Sequence, residues 1–216
     1  MEYITNDTLS DGDLVPKIIK PYLFVCWANR SDVGKDLVAE LISKYIQCTI
    51  IKFSRAFKTP LEQWLCIPDS SLDNKEFRVT KVKNPVTGEE ELFTHNELMY
   101  HFFHQFKNLY PGNTGNNWFI PGGTKTTILN TEGHISIVDC RNQTEVTLLK
   151  QLSNRYNIIL LHIIGDRGEQ KSTDKDIQFS DWKFVDSVFV IHNDKSVLMT
   201  RLEQQVFNVL AKLNLC

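Results

Sequence analysis

Tyr22-Leu23-Phe24-Val25-Cys26-Trp27-Ala28-Asn29-Arg30-Ser31-Asp32-Val33-Gly34-Lys35-Asp36 runs from an apolar stretch through a polar loop to Gly-Lys and then into a helical pattern. That is the layout of a phosphate-binding loop. A strand delivers the chain to a tight turn, backbone N–H groups of the turn and of the following helix N-terminus face inward, and a lysine adds a point charge. Leu37, Val38, Leu41, Ile42 and Tyr45 recur at helical spacing, which predicts a helix with one apolar stripe against a sheet and Lys35 in its first turn. The usual pattern has a glycine where Asn29 stands and a Ser or Thr where Asp36 stands. Asn tolerates left-handed backbone angles better than most residues. Read alone, the stretch also suits an ordinary strand-to-helix turn.

A second segment narrows the reading. Ile135-Ser136-Ile137-Val138-Asp139 is an apolar strand ending in an acid, where P-loop phosphotransferases place the carboxylate that orders Mg²⁺ or its water. Such an acid can also serve as a strand-end turn or cap. Here Cys140-Arg141-Asn142-Gln143-Thr144-Glu145 follows, and then Val146, Leu148, Leu149 and Leu152 at helical spacing. Strand, acid, arginine and helix in that order form a narrower pattern than the acid alone.

These residues resemble the deoxynucleoside monophosphate kinases of tailed phages, a branch of the P-loop kinases, over most of the chain from Tyr22 to Val206. That family carries Gly-Lys-Asp in its loop, so the resemblance accounts for Asp36. It matches Phe53-Ser54-Arg55-Ala56-Phe57-Lys58 to a segment usually written Phe-Ala-Asp-Pro-Leu-Lys. It also matches Asp139, Arg141 and Glu145 to an Asp-x-Arg-x-x-x-Glu element, and Asp176-Ile177-Gln178-Phe179-Ser180-Asp181 to a lid segment usually written Asp-x-His-x-Ser-Glu. The departures are Asn29 for glycine, Gln178 for the lid histidine, Asp181 for the lid glutamate, and His95-Asn96 where the family has Pro-Arg before its Glu-Leu pair. Loss of a substrate-side arginine removes a charge-assisted phosphate contact, about 1.5–3 kcal/mol.

The resemblance implies an α/β P-loop kinase three-layer sandwich: a central, mostly parallel sheet flanked by helices, a helical and hairpin substrate-covering insertion over about 75–125, and a lid over about 165–182. It implies ATP and Mg²⁺, with a deoxynucleoside monophosphate as acceptor. Residues 29–36 (Asn29, Arg30, Ser31, Asp32, Val33, Gly34, Lys35, Asp36) would bind the ATP phosphates, and Lys35, Asp139, Arg141 and Arg167 would carry catalysis. Arg55, Lys58 and Glu145 would bind the acceptor, Asp176, Gln178, Ser180 and Asp181 would belong to the lid, and Asp36 and Asp139 would face the metal, directly or through water.

Composition agrees with one sizeable domain over 21–216. The 216 residues are 42% hydrophobic, enough for a buried parallel sheet. A net charge of −2 supplies no general attraction to nucleic acid or anionic membrane, so direct nucleic-acid binding is not expected. Cys26, Cys48, Cys66, Cys140 and Cys216 lie singly, without metal-ligand spacing, and read as reduced thiols. No signal segment is visible and no apolar run approaches ~20 residues, so a cytoplasmic location is expected, that of the host if the chain is phage-encoded.

Along the chain, residues 1–20 read as a polar extension without assigned chemistry. Residues 48–53 read as a short strand, and Pro60 suits the first turn of a helix, which leaves Arg55 and Lys58 in a strand-to-helix loop. Residues 78–93, with a turn at Asn84-Pro85-Val86-Thr87-Gly88, predict a charged β-hairpin with opposite charges paired across it, and Lys81 and Lys83 stay outside the site. Residues 97–110 read as a helix whose His101 and His104 have no completing metal ligands, and Trp118 after it packs rather than stacks on a base. Residues 158–164 and 187–191 are near-continuous apolar strands, buried on both faces. The charged segment between them, with Arg167, Lys171 and Lys175, suits a mobile lid or a solvated surface loop. A helix over 197–213 could cover the sheet or carry apolar surface into a homodimer.

Three functions stay open at this level. The first is phosphoryl transfer from ATP to a deoxynucleoside monophosphate. The second is a kinase of some other small phosphorylated acceptor. The third is an eroded kinase-like module that binds nucleotide or serves a structural or regulatory role.

Overall fold

The computed structural model describes residues 20–30, 33–64, 67–68, 71–73, 79–83, 87–94, 124–141, 143–166, 177–194 and 196–216. The expectations for residues 1–19, the helix over 97–110 with His101 and His104, Trp118, and the site residues Ser31, Asp32, Arg167 and Asp176 lie outside them. The chain divides into two compact units, residues 1–51 with 127–216, and residues 52–126.

The first unit is built on a parallel sheet. Its strands are β1 (Tyr22–Trp27), β2 (Cys48–Ile51), then, after the second unit's β3 and β4, β5 (His134–Ile137), β6 (Asn157–Ile164) and β7 (Ser187–His192), in the order β2-β5-β1-β6-β7. All four neighbouring pairs are parallel, with Leu23 level with Ile135 and Ile158, and Leu160 level with Val188. β1 therefore sits at the centre of the sheet; the chain steps from it to the β2 edge and then travels back across the sheet through β5, β6 and β7. Helices α1 (Lys35–Tyr45), α3 (Gln143–Gln151) and α4 (Met199–Lys212) flank this sheet. The result is an α/β sandwich, a five-stranded all-parallel sheet flanked by helices.

The apolar runs explain the layers. Leu23, Phe24, Val25 and Cys26 are all fully buried, which requires cover on both faces of β1. Phe24, Cys26, Ile159, Leu161, Ile163 and Ile191 form one core with Val38, Ala39 and Ile42 of α1 and Leu202, Val206 and Leu210 of α4, and the two helices pack on each other. Each large side chain removed from water here contributes about 1.5–3 kcal/mol. By alternation Leu23, Val25, Ile158 and Leu160 point to the opposite face. α3 buries Val146, Leu148 and Leu149, an amphipathic stripe matching that expected from sequence. Tyr156, buried just before β6, donates to the Ile128 carbonyl at 3.0 Å and ties that residue to the sheet's base.

The second unit contains α2 (Arg55–Trp64), a short 3₁₀ turn at Ser71–Asp73, and the antiparallel hairpin of β3 (Val79–Lys83) with β4 (Glu90–Thr94). The hairpin stands where the turn residues placed it. Its charge pairing is narrower than expected: Lys83 opposes Glu90, whereas Lys81 opposes Leu92 and Val82 opposes Glu91. α2 differs from expectation. It begins at Arg55, with the Lys58 N–H donating to the Ser54 carbonyl at 2.8 Å, so Arg55 and Lys58 are helical and Pro60 is interior. Pro60 forfeits one bond, that to the Ala56 carbonyl. Starting earlier sets Arg55 two turns before Glu62 on one helix face, where the two pair.

Candidate functional site

The loop after β1 closes on Gly34, the N-cap of α1, at φ 90° and ψ 31°, a left-handed conformation that glycine adopts without penalty. The Val38 N–H donates to the Gly34 carbonyl at 3.0 Å, which starts α1 directly at the end of the loop and sets its N-terminus there. Lys35, half-buried, folds back and donates from Nζ to the Arg30 carbonyl at 3.0 Å. Its ammonium is thereby held over the loop. Asn29 is exposed, Arg30 half-buried and Val33 buried, which anchors the end of the loop in the core.

Asp139 follows β5, the strand beside β1. Val25 is level with Ile137, so Asp139 falls level with Trp27, where the loop leaves the sheet. The thiols on either side report the same neighbourhood. Cys140 is pushed well up, first by burial and then by the charges of Glu145 and Asp139, while Lys35 acts in the opposite direction. Cys26 is likewise pushed up, by burial first, with further contributions from Cys48 and Asp36, opposed again by Lys35. Lys35, just after the loop that leaves β1, and Asp139, just past β5, thus stand at the carboxyl edge of neighbouring strands, the edge at which open α/β sheets bind ligands.

Arg141 is exposed beyond Asp139, and its backbone N–H donates to the buried Glu145 carboxylate at 2.5 Å. Glu145, expected to face an acceptor, shapes the Asp139–Arg141 turn. Of the lid residues, Gln178 and Ser180 are exposed, and the Asp181 carboxylate accepts the Gln178 N–H at 2.6 Å, capping the 3₁₀ turn Phe179–Trp182. Under it, His162 lies between Trp27 at 4.7 Å and Phe179 at 5.7 Å, centroid to centroid.

Arg55 and Lys58 belong to the second unit. The Arg55 guanidinium pairs with Glu62, a fully buried carboxylate that also accepts the Leu72 N–H at 2.9 Å. Sequence reasoning passed over Glu62, whose signal was an acid two helical turns after an arginine. It also passed over Asn193, at the end of β7, which is buried and donates from Nδ2 to the Val33 carbonyl at 2.7 Å. Its signal was a polar Asn-Asp pair closing an apolar strand at the ligand-binding edge.

The donor set suits a divalent cation carried on a polyphosphate. Among the described residues no cluster of three or more His, Cys, Asp or Glu could cage a metal. Mg²⁺ is ordinarily held by one or two carboxylates together with substrate phosphates. Asp139 and Asp36 beside Lys35 meet that description. No helix among the described residues is long and apolar enough to cross a membrane.

No family model matches the chain, and no curated protein matches it in sequence. Among solved structures it is similar to a gluconokinase from Sinorhizobium meliloti 1021, at TM-score 0.45 and 9% identity over 90% of this chain and 93% of that one. It is also similar to a sugar kinase from Janibacter sp. HTCC2649, at TM-score 0.39 and 11% identity over 92% and 96%. A third is a plasmid partition protein from Borrelia burgdorferi, at TM-score 0.37 and 13% identity over 90% and 100%. Likenesses this distant leave chemistry and substrate to this chain's own residues.

Proposed function

We propose that this chain is a phosphotransferase that moves the γ-phosphoryl group of ATP to the 5′-phosphate of a deoxynucleoside monophosphate. The observation that carries the proposal is geometric: Lys35 stands in the first turn of the helix that follows β1, and Asp139 lies just past the end of β5, the strand paired with β1. That placement supplies a cation for the β- and γ-phosphates and a carboxylate for the cation they carry. The acceptor rests on the resemblance to the phage kinases.

In this scheme Lys35 and the α1 amides hold the donor phosphates. Asp139 and Asp36 would hold Mg²⁺, which supplies charge neutralisation between the phosphates when bound. Arg141 and Arg167 balance negative charge on the group in flight, and Arg55 and Lys58 bind the acceptor phosphate. An oxygen of the acceptor phosphate forms the new bond to the γ-phosphorus as the bond to the β-bridging oxygen breaks, and ADP leaves. The acceptor is already an anion, so no general base is required. The protein's tasks are alignment of two polyanions and exclusion of water.

The test is a coupled ADP-release assay with ATP, Mg²⁺ and each deoxynucleoside monophosphate in turn, beside Lys35→Ala and Asp139→Ala. Turnover with at least one acceptor that falls at least 100-fold in both variants supports the proposal. Wild-type turnover no higher than that of the variants overturns it in favour of a nucleotide-binding or regulatory module.

A further inference from the structure

Asn193 makes two close contacts at the carboxyl edge of the sheet. Its side-chain amide donates to the Val33 carbonyl at 2.7 Å, the last carbonyl before Gly34. The same amide occupies the space that a side chain at Gly34 would need, so Gly34 is constrained by its neighbour as well as by its φ of 90°. On the other side, the Asn193 backbone N–H donates to the Ile164 carbonyl at 2.8 Å, and its carbonyl lies 2.5 Å from where a Cβ at Gly165 would stand. Asp194 extends the tie, its Oδ1 accepting the Asp166 N–H at 3.1 Å. Asn193 is 2% exposed, so no water substitutes readily for its side-chain donor.

We infer that Asn193 is a positioning residue for the donor-phosphate site: by holding the Val33 carbonyl and filling the space beside Gly34, it fixes the loop in the conformation that presents Lys35 and the α1 amides. A carbonyl left without this donor would be free to rotate the Val33–Gly34 peptide, and the following amide would turn with it. The cost appears as ordering that the ligand must then impose, that is, as weaker donor binding. The inference rests on the proposed phosphate-binding reading, and the experiment separates the two.

Full-length wild type, Asn193→Ala and Asn193→Asp are compared by calorimetric titration with ATP and Mg²⁺, by urea unfolding, by hydrogen exchange over residues 33–35, and by KM for ATP and for the acceptor. Asn193→Asp keeps the shape but replaces the donor with an anion facing a carbonyl. The expected result is about tenfold weaker ATP binding in Asn193→Ala, a larger loss in Asn193→Asp, and faster exchange at 33–35. KM for the acceptor should stay within twofold, a split that general loosening of the fold would not give. ATP affinity within twofold of wild type in a folded variant overturns the inference. So does failure of both variants to show a cooperative urea transition, which would make Asn193 a residue of the fold at large. A wild-type chain that binds no ATP overturns the phosphate-site reading instead, and hydrogen exchange alone then decides whether Asn193 orders the loop.

Discussion

The Arg55 guanidinium lies against both carboxylate oxygens of Glu62, Nη1 at 3.2 Å from Oε1 and Nη2 at 3.0 Å from Oε2, and the carboxylate is wholly buried while about a quarter (26%) of the arginine side chain meets solvent. A buried carboxylate stripped of its cation is costly, about 3–5 kcal/mol where one partner of a buried pair is removed. Arg55→Ala should therefore lower urea stability by an amount near the bottom of that range. Arg55→Met with Glu62→Gln should recover most of it, because the pair's charges vanish together and the glutamine oxygen still accepts the Leu72 N–H. If Arg55 also binds the acceptor phosphate, the stable double variant will show a raised acceptor KM; an unchanged KM confines Arg55 to its structural pairing.

Two glycines separate space from backbone angle. At Gly165 a Cβ would stand 2.5 Å from the Asn193 carbonyl oxygen and 3.0 Å from its carbon, backbone atoms that cannot swing away. At Gly133 the φ is +79° and nothing lies within 4 Å. Asn tolerates left-handed angles but still carries a Cβ. Gly133→Asn should thus keep stability within about 1 kcal/mol of wild type, whereas Gly165→Asn should lose about 1–3 kcal/mol, in the range of overpacking costs. Equal urea midpoints for the two variants would contradict the collision at Gly165.

The central strands were legible because β1 and β6, buried on both faces, read as uninterrupted apolar runs, and because the apolar run of β1 gives way to helical spacing after Gly34-Lys35. The same reading failed for β7: it is an edge strand with Val188 and Val190 exposed, because among the described residues nothing pairs beyond it in the sheet to demand cover on that face. The hairpin was legible from Asn84-Pro85 and Gly88. Two kinds of feature were not. The start of α2 was misplaced because Pro60 favours a first turn, while the compensating Arg55–Glu62 pair needs the helix already formed. Asn193 was invisible because the atom it serves, the Val33 carbonyl, is 160 residues away in sequence. Local pattern carries strand, loop and helix; a tie between two strand ends emerges only once the sheet has set their order.

The thiols should differ sharply in reactivity. Burial pushes Cys26 and Cys140 far up and raises Cys48 to about 11, where the Ser136 hydroxyl 3.1 Å away only partly offsets it. At pH 8 a thiol at about 11 is ionised in roughly one molecule in a thousand, and the thiolate is the reactive form. Cys216 is exposed. Iodoacetamide at pH 8 followed by peptide mass spectrometry should label Cys216 within minutes while Cys26, Cys48 and Cys140 remain unlabelled until the chain is unfolded in urea. Early labelling of Cys140 would mean that the loop carrying Asp139 opens readily.

His134 gives the fold an acid-sensitive point. Its Nδ1 accepts the Tyr22 backbone N–H at 3.0 Å, at the start of β1, and partial burial lowers its affinity for a proton. His162, between Trp27 and Phe179, is lowered for the same reason. A protonated Nδ1 cannot accept, so the folded state resists a proton that the unfolded chain takes up near pH 6.5. The sign follows from linkage: a folded-state pKa below the unfolded one leaves stability intact above about pH 6.5 and erodes it as pH falls toward the folded value. Urea midpoints should be level between pH 7.5 and 8.5 and decline from pH 6.5 to 5.5. His134→Gln retains an acceptor that does not titrate, and it should flatten part of that decline, with the remainder left to His162. A decline of unchanged size in His134→Gln would move the acid sensitivity away from the Tyr22–His134 bond.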